Sequence, residues 1–262
     1  MKMPTEIPAP RPDKRWAVRL NVWLYSFTRR WLRYFLVAVG LYAGLPILAP
    51  ALMQAGLEGP ARTLYTLYTP FCHQLAFRSF FLFGEQVVYP RYNARSSVTP
   101  FETYAQMLPD FAADRVVGTW GQVGDLYSFT PGYLGAAREF LGNAQMGYKT
   151  ALCARDVGIW VMIFVGGVIY AIPQVRRRLR PVPIWLYVLL GLAPVGIDGI
   201  SQLLSYPPLA FWPPRETMPI FRISTGILFG LMTAWLVYPN FELSMRETRD
   251  ALEFKLRRAG LI

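Results

Sequence analysis

The sequence predicts an all-α integral membrane protein with four transmembrane helices and both termini in the cytoplasm. A re-entrant or interfacial segment and an irregular extracytoplasmic lobe are expected between helices 1 and 2. Three observations carry this prediction. Of the 262 residues, 53% are hydrophobic and only 16% charged, too apolar for an ordinary soluble domain. Uncharged runs over 34–57, 157–175, 181–197 and 223–241 each approach the roughly 20 residues that cross about 30 Å of hydrocarbon. The charge is also divided: segments 1–33, 173–182 and 239–262 hold 17 Lys and Arg against 6 Asp and Glu, and the rest holds 10 of each. The positive-inside rule assigns the basic segments to the cytoplasm of a multi-pass protein in the cell membrane.

Each element follows in order. Segment 1–33 begins with a Pro- and charge-rich stretch expected to be loosely ordered. It continues with Trp16, Trp23 and Phe27 among Arg19, Arg29 and Arg30, which suits a helix lying in the cytoplasmic interface. Helix 1, 34–57, is too long for the h-region of a cleavable signal peptide and lies far from the first residue, so it is expected to stay as an anchor. Segment 58–86 is apolar and aromatic but interrupted by Pro70, His73 and Arg78, which predicts the outer re-entrant or interfacial segment. Residues 87–150, with Pro90, Pro100, Pro109 and Pro131 and the aromatics Trp120, Tyr127, Phe129 and Tyr133, form the lobe. The remaining helices are 151–175, 181–204 and 219–241, followed by a cytoplasmic helix at 242–262 that alternates acids and bases.

The bilayer is the first partner implied, and the lobe is the expected contact surface for other subunits of a membrane complex. Nucleic acid is not implied: the Arg29, Arg30 and Arg33 group and the basic run 176–180 flank spans, where they hold topology or meet anionic headgroups. Gly166, Gly167, Gly226 and Gly230 are expected to permit close helix packing.

Topology brings the unusual polar residues to one level. Cys72, His73, Gln74 and Arg78 lie in the outer segment, and Cys153, Arg155 and Asp156 at the outer start of helix 2. Asp198 and Gln202 lie one turn apart near the outer end of helix 3, and Arg222 near the outer start of helix 4. Ionisable groups beside hydrocarbon are costly, so they are expected to be paired or functional.

These residues stand in blocks: Cys72-His73-Gln74 with Arg78-Ser79-Phe80-Phe81, Cys153-Ala154-Arg155, Asp198-Gly199 with Gln202-Leu203, and Arg222 with Thr225-Gly226 and Phe229-Gly230. In these blocks, over 62–86 and 150–238, the chain resembles domain-of-unknown-function family 2085, membrane proteins of bacteria and archaea. The resemblance implies a small polytopic membrane protein without assigning an activity. Many members have a cysteine where this chain has Asp156, and the stretch between Gln86 and Ala151 is longer than the resemblance implies.

Several chemistries fit the cluster. Cys72, His73, Cys153 and Asp156, with Glu85, offer ligands for one metal ion, although no cofactor is required by the sequence and no paired Cys-x-x-Cys is present. Cys72 and Cys153 can instead form a disulfide on an oxidising face, closing a loop of about 80 residues for about 3–4 kcal/mol. Arg78, Arg155 and Arg222 can clamp a lipid phosphate or another anion, with His73 or Asp198 as acid or base. Alternatively, Asp198 neutralises an arginine and ties the helices together, with Gln202 and Gln74 completing its hydrogen bonds. That arrangement, in a structural or accessory subunit, is the leading expectation; a lipid-binding enzyme or carrier and a metal or thiol redox protein are the alternatives. No Gly-x-Ser-x-Gly, His-Glu-x-x-His or phosphate-loop motif is present.

Overall fold

Among the described residues, four helices are long and apolar enough to cross a membrane: Trp16–Gln54, Ala154–Ala171, Ile184–Leu203 and Pro219–Arg258. They are called spans one to four below. The computed structural model describes residues 15–261, so the Pro-rich beginning of segment 1–33 lies outside the described residues.

The helical ends differ from the sequence expectation. The first helix runs unbroken over Arg15–Gln54, so 16–33 is not a separate helix turned along the interface. Its reason is local: no Gly or Pro interrupts the chain between 16 and 39. The helix Pro219–Arg258 likewise continues through Pro239, so the expected helix at 242–262 is its extension. At about 1.5 Å per residue, each 40-residue helix is roughly twice the thickness of the hydrocarbon. The two extensions pack together. Trp31 Nε1 donates to Glu242 Oε2 at 3.0 Å, Trp31 lies against Tyr238 and Phe241, and Leu252 and Leu256 are buried. Arg176 and Arg246 also pair with Glu242, so the basic run after span two meets this end.

The stretch between spans one and two is more regular than expected, and two expectations are corrected there. The fold is mostly helical but not all-α: β1 (Ser79–Leu82) pairs antiparallel with β5 (Gly147–Cys153), which pairs with β4 (Gly142–Asn143). A second small hairpin joins β2 (Val116–Val117) to β3 (Gly121–Gln122). Segment 58–86 is not a single re-entrant segment either. Helix Glu58–Tyr68 packs beside span one, but Leu75, Ala76, Phe77 and Phe81 belong to the lobe core with Phe101, Phe111, Tyr133 and Phe140. The alternating burial of β1 turns Phe81 into that core.

One ion pair is sealed inside the lobe: Arg91 Nε donates to Glu102 Oε1 at 2.8 Å, with the guanidinium 4.9 Å from the Tyr133 ring centre. The sheet then joins lobe to membrane part, because β5 runs directly into span two at Cys153. Its Ala151 and Leu152 pack with Ala49, Tyr65 and Val157.

Candidate functional site

The residues singled out by sequence separate into two polar centres and one thiol group. The first centre is built around Glu216, in the connection between spans three and four. Arg78, just before β1, donates through Nη2 to Glu216 Oε1 at 2.5 Å and through Nε to both carboxylate oxygens at 3.2 Å. Arg222 Nη2 reaches Oε2 at 2.9 Å, Gln202 Nε2 reaches Oε2 at 2.5 Å, and the Tyr206 hydroxyl reaches Oε1 at 2.5 Å. Burial alone would raise the Glu216 carboxyl, but Arg78 and Arg222 hold it below the ordinary carboxylate value. The lobe closes on this centre: the Phe129 ring stacks on Tyr206 at 3.9 Å, and Asn93 Nδ2 donates to the Pro214 carbonyl at 2.9 Å.

The second centre is Asp198. Arg155 pairs with its Oδ2, Arg215 Nη2 donates to Oδ1 at 2.6 Å, and the Thr217 hydroxyl lies 2.8 Å from Oδ1. The expected neutralisation of an arginine by Asp198 is therefore present, with Arg155 as one partner. Neither glutamine completes this pair as expected: Gln202 donates to Glu216 and accepts from Arg222 in the first centre, and the Gln74 amide donates to the Tyr65 carbonyl at 2.8 Å, away from the carboxylates. Arg155 Nε is buried without a hydrogen-bond partner. A cavity of about 800 Å³ borders Asp198, Arg215, Glu216, Arg95, Trp212 and Phe221.

The third group is Cys72, Cys153 and Asp156, whose ligand atoms all lie within 4.8 Å of one another. Both cysteines are free thiols, Cys72 buried and Cys153 half-buried. The Cys153 thiol donates to Asp156 Oδ2 at 3.0 Å. Hydrogen bonding with Cys153 lowers the Cys72 thiol, while the same interaction, with burial, raises Cys153. His73 and Glu85, the other expected ligands, stand outside the group. His73 is exposed; Glu85, also exposed, accepts from the Tyr104 hydroxyl at 2.9 Å and from Gln145 at 3.2 Å. His73 and Asp198, proposed as acid or base, thus belong to different surroundings.

Sequence reasoning missed Glu216, Arg215, Thr217 and Tyr206. A signal existed, since Glu216 is the only carboxylate between Asp198 and Glu242. It also missed Lys149, the only lysine between positions 14 and 255. Lys149 Nζ is fully buried and donates to the carbonyls of Gln74 and Arg138, both at 2.6 Å, with Ala137 at 3.4 Å. Burial pushes its amine down to about 7, with Cys72 acting to raise it and Arg138 to lower it. Because the folded value lies below the unfolded one, folding excludes a proton between them, and stability rises with pH from about 7 to the ordinary lysine range. The expected slope reaches about 1.4 kcal/mol per pH unit. Thermal unfolding of detergent-solubilised protein across that range should show it, and Lys149→Gln should flatten it. Equal slopes in the two proteins would rule this out.

Comparison with known proteins bears on the same residues. Residues 144–236 match the family DUF2085, described as a predicted membrane protein. The resemblance read from the sequence is thereby shown over the second of its two stretches, 150–238, and the match does not reach 62–86. The matched region contains Cys153, Arg155, Asp156, Asp198, Gln202, Glu216 and Arg222; Cys72 and Arg78 lie before it. The chain is also similar to the uncharacterized protein MJ1492 of Methanocaldococcus jannaschii, 30% identical over 95 residues. That alignment covers 36% of this chain and 55% of the archaeal protein, so the chain spans about half the length of its curated relative. No solved structure matches.

Proposed function

We propose that this DUF2085-containing chain is a structural or accessory subunit of a membrane complex, in the cytoplasmic membrane with both termini inside and the lobe outside. The observation that carries this reading is the mutual pairing at the outer mouth. Arg78 and Arg222 are taken up by Glu216, and Arg155 and Arg215 by Asp198. Groups engaged in this way brace the lobe against spans two, three and four rather than present a clamp to a substrate. The orientation is supported by the basic groups at Arg29, Arg30, Arg33 and Arg176, which line a common cavity. Met107, Val116 and Trp120 are large apolar side chains exposed on the lobe and open to a partner subunit.

A second reading draws on the 800 Å³ cavity: a phosphate-bearing lipid held by Arg95 and Arg215, with Trp212 and Phe221 against its chains. This replaces the clamp expected from Arg78, Arg155 and Arg222. Arg95 favours it, being exposed, outside every ion pair found among the described residues, and held at a φ of +50°.

One extraction separates the readings. Protein taken from its own membranes in mild detergent is expected to run as a defined assembly heavier than the 29.9 kDa chain. Met107→Ser with Trp120→Ser should release the monomer at an unchanged melting temperature. A wild-type monomer carrying one anionic lipid, lost on Arg95→Ala with Arg215→Ala, would reverse the preference.

A further inference from the structure

We propose that Cys72, Cys153 and Asp156 form a three-ligand site for a borderline-soft divalent cation of the zinc class. The three residues arrive from different elements. Cys72 follows the helix Glu58–Tyr68, Cys153 ends β5, and Asp156 stands in the first turn of span two. Cys153 and Asp156, three apart where the helix begins, share a face, and Cys72 faces them from the neighbouring turn. Their ligand atoms lie within 4.8 Å of one another. A tetrahedral ion with sulfur at about 2.3 Å and carboxylate oxygen at about 2.0–2.2 Å requires them roughly 3.5–3.8 Å apart, so side-chain rotation of about 1 Å suffices.

Two further observations point to a ligand. Cys72 Sγ accepts the backbone N–H of Cys153 at 3.3 Å and that of Gln74 at 3.4 Å, an arrangement that supports negative charge on sulfur. Gln74 gives that N–H from a left-handed backbone with φ of +53°, a conformation that is uncommon for a residue with a side chain. A cavity of about 160 Å³ lined by Thr69, Pro70, Phe71, Cys72, His73 and Arg138 reaches one of the three ligands, Cys72.

Two thiolates and a carboxylate suit a zinc-class ion better than magnesium or calcium, which prefer all-oxygen shells. On binding, each thiol releases its proton to solvent. The Cys153–Asp156 hydrogen bond breaks, and both atoms turn lone pairs to the cation. Three protein ligands leave the fourth tetrahedral position to water or a further donor.

The test is titration of reduced, detergent-solubilised protein with Co²⁺, following sulfur-to-cobalt charge-transfer absorbance, then displacement by Zn²⁺. Wild type should bind one equivalent with thiolate bands. Cys72→Ser and Cys153→Ser should lose those bands, and Asp156→Asn should weaken binding by at least about 10–100-fold, the loss that follows from removing even a supporting partner. Asp156→Cys should retain binding and add thiolate intensity, which keeps the test decisive where a serine variant fails to fold. The proposal is overturned by absence of the bands in reduced wild type, by Asp156→Asn binding as wild type, or by metal-free isolated protein whose two cysteines are joined as a disulfide. None of these results depends on whether the chain assembles with other subunits.

Discussion

Glu216→Gln is expected to destabilise the protein by about 3–5 kcal/mol, the range for removing one member of a buried ion pair. The glutamine fills the same space but leaves Arg222, 7% exposed, and Arg78, 20% exposed, without their counter-charge. It also turns an amide N–H toward donors, since Arg78, Arg222, Gln202 and Tyr206 all donate to the carboxylate. Thermal unfolding in detergent and the folded yield in membranes read the effect. Adding Arg222→Met should recover much of the loss, because an apolar side chain removes the stranded charge. The recovery in a double-mutant cycle then measures the pair itself. The pH dependence has a definite sign. The folded carboxyl lies below its unfolded value, so its contribution is present above the ordinary carboxylate range and is lost as pH falls through the folded value. Glu216→Gln should remove that acid limb. A variant as stable as wild type at neutral pH would show that the Glu216 centre does not join lobe to membrane part.

The spans were legible because crossing hydrocarbon imposes length and apolarity on contiguous residues. The convergence of Asp198, Gln202, Arg155 and Arg222 was legible for the same reason: topology alone places span ends at one level. The counter-charge for Arg78 and Arg222 was not. Glu216 lies in an aromatic, proline-rich connection, and its position depends on lobe docking through Phe129 on Tyr206, a contact between residues far apart in sequence. The β5 strand was hidden for another reason. A short buried run of the kind Gly147–Cys153 has no periodicity that separates strand from helix, and its continuation into span two obscures the boundary. The continuity of the helices through Arg33 and Phe241 is hidden in the sequence because charge composition changes there while backbone propensity does not. The burial of Lys149 depends on tertiary packing of a stretch rich in aromatics and prolines, and the sequence signal that marks it is its being a solitary lysine there.

Gly226→Ala and Gly230→Ala should each cost more than their one added methyl suggests, and Gly226→Leu should abolish folded protein. A Cβ at Gly226 would meet the Arg155 carbonyl oxygen at 2.4 Å, and one at Gly230 would meet that of Ile159 at 2.3 Å. Both obstacles are backbone, which no rotamer change can move aside. Gly158 completes the contact from the other helix, where a Cβ would lie 3.3 Å from the Ile223 carbonyl oxygen. Spans two and four therefore touch main chain to main chain, the close approach that small residues four apart permit. Separating them costs about 1–3 kcal/mol by overpacking alone. The displacement also moves the backbone of Arg155, whose guanidinium pairs with Asp198, so the packing defect reaches the Asp198 centre. Gly44→Ala and Gly196→Ala are the controls: a Cβ at either position meets nothing within 4 Å, and alanine favours the helix. Melting temperatures of the four alanine variants, measured in one detergent, should place Gly226→Ala and Gly230→Ala well below wild type and the controls at or above it. If all four melt together, helix contact at these glycines does not hold spans two and four in place. If only Gly226→Ala and Gly230→Ala fall, and Asp198→Asn adds less in the Gly226→Ala background than alone, the packing seam and the ion pair above it act as one unit.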